Sequence, residues 1–445
     1  MADQSEKNEK TLERSADGEL SGSDGAEIDF VEWTEDEENR LVRKLDFLLM
    51  PLLVLGFFAL QLDRGNIGNA LTDNFFKDVG ITQNQFNVGQ QLLSLGIILL
   101  EIPSNLILYR IGPTIWIGGQ IIAWGLVATC QAFQKGLPAY MVTRLLLGLC
   151  EAGFIPACLF TMTRWYKSNE TSKRFSWFFI GNTVASAMTG IIAYGILHMR
   201  GVAGLAGWQW LFILEGIFTI LVGFAFLAVF PESASHPVSL LKLRYFSERE
   251  SRILHQRVLK DDPTKAQASR NVKWAEIKGA LTNWRLIPHI GFTIVGLAPA
   301  SAFGSYAPTL VAGFGFEKLR SNALSSIANR ALVHSTDANL RYAILTISIA
   351  VSWPWHAVNG SWLALNAKSA GERSVTLAIH IMSANCAGIV GKQLFRSEDS
   401  PLYVNGFTII VGLTSAAVVL SGLANLQYFL LNGRKFARSG LQYTY

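Results

Sequence analysis

The chain of 445 residues is 50% hydrophobic, only 16% of its residues are charged, and its formal net charge is +5. A soluble globular protein carries about 25% charged residues, so this composition excludes an ordinary soluble domain. Windows of about 20 residues that are almost free of charge match the thickness of a bilayer's hydrocarbon core. The sequence therefore predicts an all-α polytopic membrane protein, and the small basic excess gives no reason to expect a nucleic-acid partner.

Five segments follow one another along the chain. Residues 1–40 are polar and acidic, and this composition predicts a disordered cytoplasmic tail. A first six-helix bundle is predicted over residues 41–230, with spans at 45–62, 87–109, 114–133, 139–166, 175–199 and 208–230. Residues 231–284 are rich in lysine and arginine and predict a cytoplasmic central loop with a surface helix. A second bundle over residues 285–432 has four predicted spans, at 286–312, 342–366, 375–395 and 404–431, and a cytoplasmic tail at 433–445 follows it.

Basic residues set the predicted orientation, because loops that face the cytoplasm are enriched in lysine and arginine. Arg40, Arg43 and Lys44 precede the first span, and a second basic group lies between the fourth and fifth spans. Both termini and the central loop are therefore predicted to be cytoplasmic, in a multi-pass protein of the plasma membrane. All four cysteines lie in apolar windows, which is typical of small buried residues and predicts no disulfide, metal site or cofactor.

The stretch LQLDRGN places Asp63 and Arg64 at the end of the first span. One interpretation is an interfacial pair that reaches the membrane surface and has no further role. Four more ionisable residues lie within the spans: Glu101, Arg144, Glu151 and Glu215. A charge at mid-bilayer costs about 3 kcal/mol on insertion scales, so several of them in one half of the chain weigh against a pair without a further role. We predict that Asp63, Arg64 and Glu151 line a polar, water-filled pathway. Glu101 and Glu215 fit structural clamps near helix ends, and Arg144 shares one helix face with Glu151.

The second half has few ionisable residues within its predicted spans. In the stretch WPWHAVNGSW, His356, Asn359 and Trp362 recur every three residues and therefore share one helical stripe. Such a stripe suits contact with an aromatic or amphipathic acid. A histidine that is hydrogen-bonded within the bundle is an equally good interpretation.

Several motifs resemble the major facilitator superfamily, and within it the fungal anion:cation symporters, the group of the allantoate, nicotinate and pantothenate permeases. In the first half they are LDRGNIGNA, IPSNLILYRIGP, RLLLGLCEAGFIPACLFTMTRWY and WQWLFILEGIFTILVGFAFLAVFPES. In the second half, GSYAPTLV, WHAVNGSWLALNAKSAGERS and ANCAGIVGKQLF are similar to the later helices of the same group. The resemblance covers nearly all of residues 40–432.

This resemblance implies a two-bundle fold with a central site that opens alternately to each side of the membrane. Carboxylates in the first and fourth helices of the family couple transport to protons, and those positions fall on Asp63 and Glu151. Arg64 would bind a substrate carboxylate with its planar fork, and an arriving anion would weaken the pairing of Arg64 with Asp63. Arg144 would hold the polar network of the fourth helix together, and Asn66 is a further candidate contact for the substrate.

The chain departs from this family after residue 327. Relatives have twelve spans, whereas the stretch ANRALVHSTDANLRYAIL begins directly after Ile327 and resembles the segment before the tenth span. Roughly 40 residues, enough for two spans, are missing at this point. The predicted fold is therefore the two-bundle fold of the superfamily with about ten transmembrane helices, six plus four.

The sequence as a whole predicts a secondary active transporter, a proton-coupled symporter of a small organic anion, acting as a monomer in the lipid bilayer. The main alternative is a truncated relative that does not transport, with a regulatory or sensing role, or a misfolded product. We do not expect an enzyme, because no cluster with metal-ligand spacing and no nucleophile–base pair stands out.

Overall fold

The computed structural model describes residues 31–261, 274–313, 370–399 and 403–434, together with residues 356, 359–360, 362–363 and 366. Within these residues the chain is helical, apart from short turns and two isolated β-bridges between residues 231 and 244. The first half contains α1 (Glu35–Ala70), α2 (Phe75–Val79), α3 (Gln83–Ile111), α4 (Pro113–Cys130), α5 (Gly136–Glu151), α6 (Phe154–Trp165), α7 (Ser168–Leu197) and α8 (Gly207–Val229). They are followed by α9 (Glu248–Asp261), α10 (Trp274–Leu281), α11 (Leu286–Gly313), α12 (Ala370–Gly391) and α13 (Val404–Arg434).

Eight helical stretches in the described part of the chain are long and apolar enough to cross a membrane. A ninth helix, α12, has a shorter apolar stretch at Val375–Gly391. Together they account for the six spans predicted in the first bundle and for three of the four predicted in the second. The remaining predicted span, 342–366, lies mostly outside the described residues.

The first helix begins at Glu35, inside the stretch that composition predicts to be a disordered tail. Thr34 and Glu37 form a capping box, in which each side chain accepts the backbone N–H of the other residue. Four acidic residues in the first turn add favourable interactions with the positive end of the helix dipole. The T-x-x-E pattern in WTEDEE was the signal for this start, and it extends the helix ahead of the apolar run.

Glycines allow the helices of the first bundle to pack at close range. A Cβ on Gly148 of α5 would lie 2.1 Å from the carbonyl oxygen of Leu93 in α3. A Cβ on Gly216 of α8 would lie 2.6 Å from the backbone nitrogen of Thr129 in α4. Small residues at such contacts let membrane helices approach each other closely. The packing brings the charged residues of α1, α5 and α8 into one interior.

The two bundles are joined where α1 ends and α3 begins, a region called the sealed end below. Side-chain amides of Gln83 and Asn87 in α3 donate to the carbonyl oxygen of Phe395, over 3.1 and 3.3 Å. Gln91 donates to the carbonyl oxygen of Ile389 over 3.1 Å. Carbonyls at and beyond a helix end have no partner within the helix, so they can accept such bonds. Aromatic residues of both bundles pack in one cluster here, among them Phe75, Phe86, Trp208, Phe303 and Phe407.

At the opposite end, where α1 begins, helix α9 of the central segment packs against the first bundle. The fully buried Arg257 of α9 donates to Glu38 of α1 over 3.1 Å and to both carboxylate oxygens of Glu170 in α7, over 3.0 and 2.6 Å. Lys44 of α1 donates to both carboxylate oxygens of Glu250. Partial burial raises the pKa of Glu250, but the bonds to Lys44 and to a backbone N–H outweigh burial and bring the pKa below its usual value. The central segment thus contains a helix, as the sequence predicts.

Replacing Arg257 with alanine should destabilise the folded protein by about 3–5 kcal/mol, because the change removes one partner of a buried ion pair. Thermal unfolding of the detergent-purified protein measures this loss. Arg249→Ala is the matched control: Arg249 lies on the same helix and pairs with Glu37, but 54% of its side chain is exposed. An exposed pair contributes no more than about 1 kcal/mol. Equal losses of stability in the two variants would contradict a stabilising role for the buried ion pairs of Arg257.

Candidate functional site

An ion pair between the first and fourth spans lies at the centre of the candidate site. Nε of Arg64 donates to Oε2 of Glu151, the last residue of α5, over 2.7 Å. The Glu151 side chain is fully buried, whereas 26% of the Arg64 side chain is exposed. Among the described residues Arg64 makes no second hydrogen bond. The other N–H groups of its planar fork therefore remain available to a carboxylate.

The expected pairing of Arg64 with Asp63 is wrong. The two residues are consecutive in α1, and consecutive side chains on a helix point about 100° apart. Asp63 instead points toward α8, where Thr219 Oγ1 donates to Asp63 Oδ2 over 3.4 Å. Arg64 is consequently free to take its partner from another helix.

A second carboxyl group lies close to Asp63. Glu215 is one helical turn before Thr219 in α8, is 4% exposed, and interacts electrostatically with Asp63. Neither carboxylate oxygen of Glu215 has a hydrogen-bond partner among the described residues. The clamp expected for Glu215 is therefore absent from this part of the chain. Two carboxyl groups in one buried cluster are suited to holding and passing a proton.

The fourth predicted span, 139–166, is not one continuous helix. It is broken directly after Glu151, where Ala152 leaves the helical region and Gly153 adopts a positive φ of 81°. Glu101 of α3 accepts the freed N–H of Gly153 over 2.9 Å, and Gln120 of α4 donates to the freed carbonyl of Ala152 over 2.7 Å. Broken helices in membranes require such partners, and they recur where a polar site is lined. Glu101 thus acts as a clamp on the backbone that positions Glu151.

Arg144 and Asn66 are buried beside this cluster. The Arg144 guanidinium lies over the rings of Tyr140 and Phe212, at 5.5 and 5.9 Å from their centroids. Its Nε and Nη2 atoms have no hydrogen-bond partner among the described residues, and the same holds for both side-chain atoms of Asn66. Buried polar atoms without protein partners are rare in native structures. Their concentration here distinguishes the site from an ordinary packed interior.

Asn359 and Trp362 belong to a second polar cluster, formed by helices of the second bundle. Asn359 Oδ1 lies 2.6 Å from Nδ1 of His289, and Asn359 Nδ2 donates to Thr293 Oγ1 over 3.0 Å. The Trp362 ring meets the His289 ring edge-on, with centroids 4.7 Å apart. Asn359 and Trp362 of the predicted stripe therefore face α11.

His356 faces α12 rather than α11. Its ring stacks on that of His380 at a centroid distance of 4.3 Å, and the carbonyl oxygen of His356 lies 3.3 Å from His380 Nε2. These contacts pack the His356 ring against another histidine within the second bundle. A role of His356, Asn359 or Trp362 in substrate binding stays a prediction.

Two polar residues near the first cluster were not predicted from the sequence. Gln120, which supports the helix break, is uncharged, so it was not among the ionisable residues that the cost of a charge in the membrane singles out. Lys392 lies at the end of the predicted span 375–395, and a lysine inside an apolar window was a signal that could have found it. It is 9% exposed.

Two helical bundles sealed at one end, with ionisable groups buried beside a broken span, define a membrane transport protein of the two-bundle class. Residues 53–431 match the Major Facilitator Superfamily, and the chain belongs to that family.

Relatives that cover about nine tenths of the chain are described as transporters. An uncharacterized transporter of Saccharomyces cerevisiae is 29% identical over 449 aligned positions, covering 91% of this chain and 82% of that protein. Because this alignment is longer than the 445-residue chain, it contains gaps of several tens of positions in this chain. A putative tartrate transporter of Agrobacterium vitis is 28% identical and covers 89% of this chain and 84% of that protein.

Solved structures show the same fold. A D-xylose–proton symporter matches with a TM-score of 0.61 at 15% identity, over 84% of this chain and 97% of the other. A bacterial homolog of the human lysosomal transporter Spinster matches with a TM-score of 0.59 at 12% identity, over 89% and 97%.

Proposed function

We propose that this chain is a proton-coupled symporter of a small organic anion and that it works by alternating access, like the anion:cation symporters that it resembles. The ion pair of Arg64 with Glu151 carries the proposal. It joins a partly exposed cation, which is able to hold a carboxylate, to a fully buried carboxylate, which is able to take a proton.

Coupling follows from competition for Arg64. When Glu151 binds a proton it loses its charge, and Arg64 loses its partner. A substrate carboxylate then restores a charge-assisted pair with the same guanidinium. When Glu151 releases its proton, it competes for Arg64 again and expels the anion. Proton and anion are therefore bound together and released together.

Asp63 provides a second proton-binding group on the path. An inside-negative membrane potential opposes inward movement of an anion by about 2.3 kcal/mol per charge per 100 mV. One accompanying proton cancels this cost, and a second proton makes the inward step favourable. Two carboxyl groups, Asp63 and Glu151, are sufficient for either stoichiometry.

The substrate class is a carboxylate such as nicotinate, pantothenate or allantoate. A planar arginine fork in a polar setting suits such acids, and the similarity to a putative tartrate transporter supports the choice of an organic acid. Asn66, His356, Asn359 and Trp362 stay candidate contacts. We further propose a plasma-membrane location with both termini in the cytoplasm. A non-transporting relative is not favoured, because the matches throughout residues 53–431 are to transporters.

Purified protein in liposomes that contain a pH-sensitive dye tests this function. Addition of a transported acid should acidify the lumen, and labelled acid should accumulate when the outside is more acidic. The panel contains nicotinate, pantothenate, allantoate and tartrate, and empty liposomes correct for passive diffusion. If no acid moves and none elicits proton movement, the proposal is wrong.

Asp63→Asn should reduce proton-coupled uptake at least about tenfold, because asparagine cannot bind the proton while its size and its bond with Thr219 are preserved. The measurement is the initial rate of labelled uptake under the same pH gradient. An Asp63→Asn transporter with unimpaired coupling would remove Asp63 from the mechanism.

A further inference from the structure

A buried lysine of the second bundle is not used by the mechanism above. Lys392 directly follows the last residue of α12, and its Nζ donates to the carbonyl oxygen of Gln90 over 2.9 Å and to Ser94 Oγ over 3.0 Å. Both acceptors belong to α3 of the first bundle. Among the described residues no carboxylate lies within ion-pair distance of this ammonium. A buried charge without an opposite charge is costly, so a purely structural role is a poor explanation.

Lys392 is close to the candidate site. Gln90, whose carbonyl oxygen accepts from Lys392, donates its side-chain amide to the Tyr140 hydroxyl over 3.3 Å, and the Arg144 guanidinium lies over the Tyr140 ring. A glycine of α12 allows the close approach to α3: a Cβ on Gly388 would lie 2.9 Å from Ser94 Oγ. The second bundle therefore supplies a buried cation beside the candidate site of the first bundle.

The partners of Lys392 depend on the state of the sealed end. Gln90 and Ser94 are on one bundle and Lys392 is on the other, so opening of this end separates the ammonium from both acceptors. In the proposed cycle the charge would then face the opened pathway and would require a new acceptor. An incoming anion is the group that can supply it.

We propose that Lys392 is a second cationic ligand for the transported anion and that the site consequently prefers acids with two carboxylates. One carboxylate pairs with Arg64 and the other with Lys392. The inference rests on the proposed function. A monocarboxylate replaces Glu151 at Arg64 but leaves Lys392 without an acceptor, whereas a dicarboxylate satisfies both cations. A hydrogen bond to a charged group changes affinity by a factor of about ten to a hundred.

Two matched pairs of acids provide the test. Malate is lactate with one added carboxylate, and quinolinate is nicotinate with one added carboxylate. Binding of all four acids is measured on the purified full-length protein, at one pH, from the ligand-dependent shift of its melting temperature. In each pair the wild type should bind the dicarboxylate at least about tenfold more tightly. Lys392→Gln should bring this ratio close to one while affinity for lactate and nicotinate stays unchanged.

Three further variants separate recognition from folding. Lys392→Arg keeps the positive charge and should restore the preference. Ser94→Ala removes one acceptor of the present conformation without changing the charge, and it should leave the preference intact. Lys135→Gln removes an exposed lysine outside the site and serves as the control for charge.

The outcomes separate the inference from the function on which it rests. A wild type that binds lactate or nicotinate but shows no preference for the dicarboxylates overturns the role of Lys392 alone. An unchanged preference in Lys392→Gln does the same. If none of the four acids binds the wild type, the organic-anion function fails for these acids and the inference fails with it.

Discussion

With glutamine in place of Glu151, accumulation of the anion against its gradient is expected to disappear while exchange across the membrane continues. Glutamine has the shape of a protonated glutamate but no proton to release, so Arg64 stays free to hold the anion. A pH difference of one unit corresponds to about 1.4 kcal/mol per proton, enough for about tenfold accumulation with one proton per anion. Liposomes with the wild type should reach this ratio, and those with Glu151→Gln should stay near equal concentrations inside and outside.

Exchange is measured in the same liposomes after they are loaded with unlabelled acid. It requires only the loaded transporter to reorient, so it does not depend on proton release. Glu248→Gln is the control, because it makes the same chemical change on an exposed position of α9. Tenfold accumulation by Glu151→Gln would exclude Glu151 as the coupling group. Loss of both accumulation and exchange would indicate that the side chain acts in substrate binding or folding instead.

The charged residues of the candidate site in the first bundle are predictable from the sequence, because a charge inside an apolar window has a high free-energy cost. This cost alone singled out Asp63, Arg64, Arg144 and Glu151, and the structure buries all of them except part of Arg64. The two-bundle fold was implied by the family motifs, and the family match confirms it.

The partners of these charges were not predictable from local spacing. Arg64 pairs with a residue 87 positions further on, and Lys392 bonds to atoms about 300 positions earlier in the chain. Such pairings depend on how the helices pack, which helix periodicity does not specify. A pairing of Arg64 with Asp63 was expected because the two residues are adjacent in the sequence. Consecutive side chains on a helix, however, point about 100° apart.

Two local features were readable but were missed. The stretch EAGFIP combines a glycine and a proline just after Glu151, and Gly153 does adopt a positive φ in the break between α5 and α6. The capping box at Thr34 likewise marks the start of α1 ahead of the apolar run. Both features were missed because the spans were predicted from hydropathy. An apolar window looks continuous even where its helix is broken, and it marks the start of a helix only where the chain becomes apolar.

Replacing Arg64 with alanine should weaken anion binding at least about a hundredfold, because it removes a guanidinium able to form two charge-assisted bonds of about 1.5–3 kcal/mol each. Arg64→Lys keeps the charge but replaces the planar fork with a point charge, and a loss of about tenfold is expected. The half-saturating concentration of anion in the exchange assay measures both effects. Arg249→Ala on the exposed face of α9 is the control for loss of a positive charge.

Arg64→Ala also leaves Glu151 as a buried carboxylate without its partner, which by itself destabilises a protein by about 3–5 kcal/mol. Loss of exchange in this variant would therefore not separate binding from folding. The double variant Arg64→Ala with Glu151→Gln removes both charges and should recover the melting temperature that the single variant loses. Because Glu151→Gln alone is expected to retain exchange, an inactive but stable double variant would assign anion binding to the Arg64 guanidinium. A double variant that exchanges anion with wild-type affinity would place the anion elsewhere, and the competition between Glu151 and the substrate for Arg64 would then be wrong.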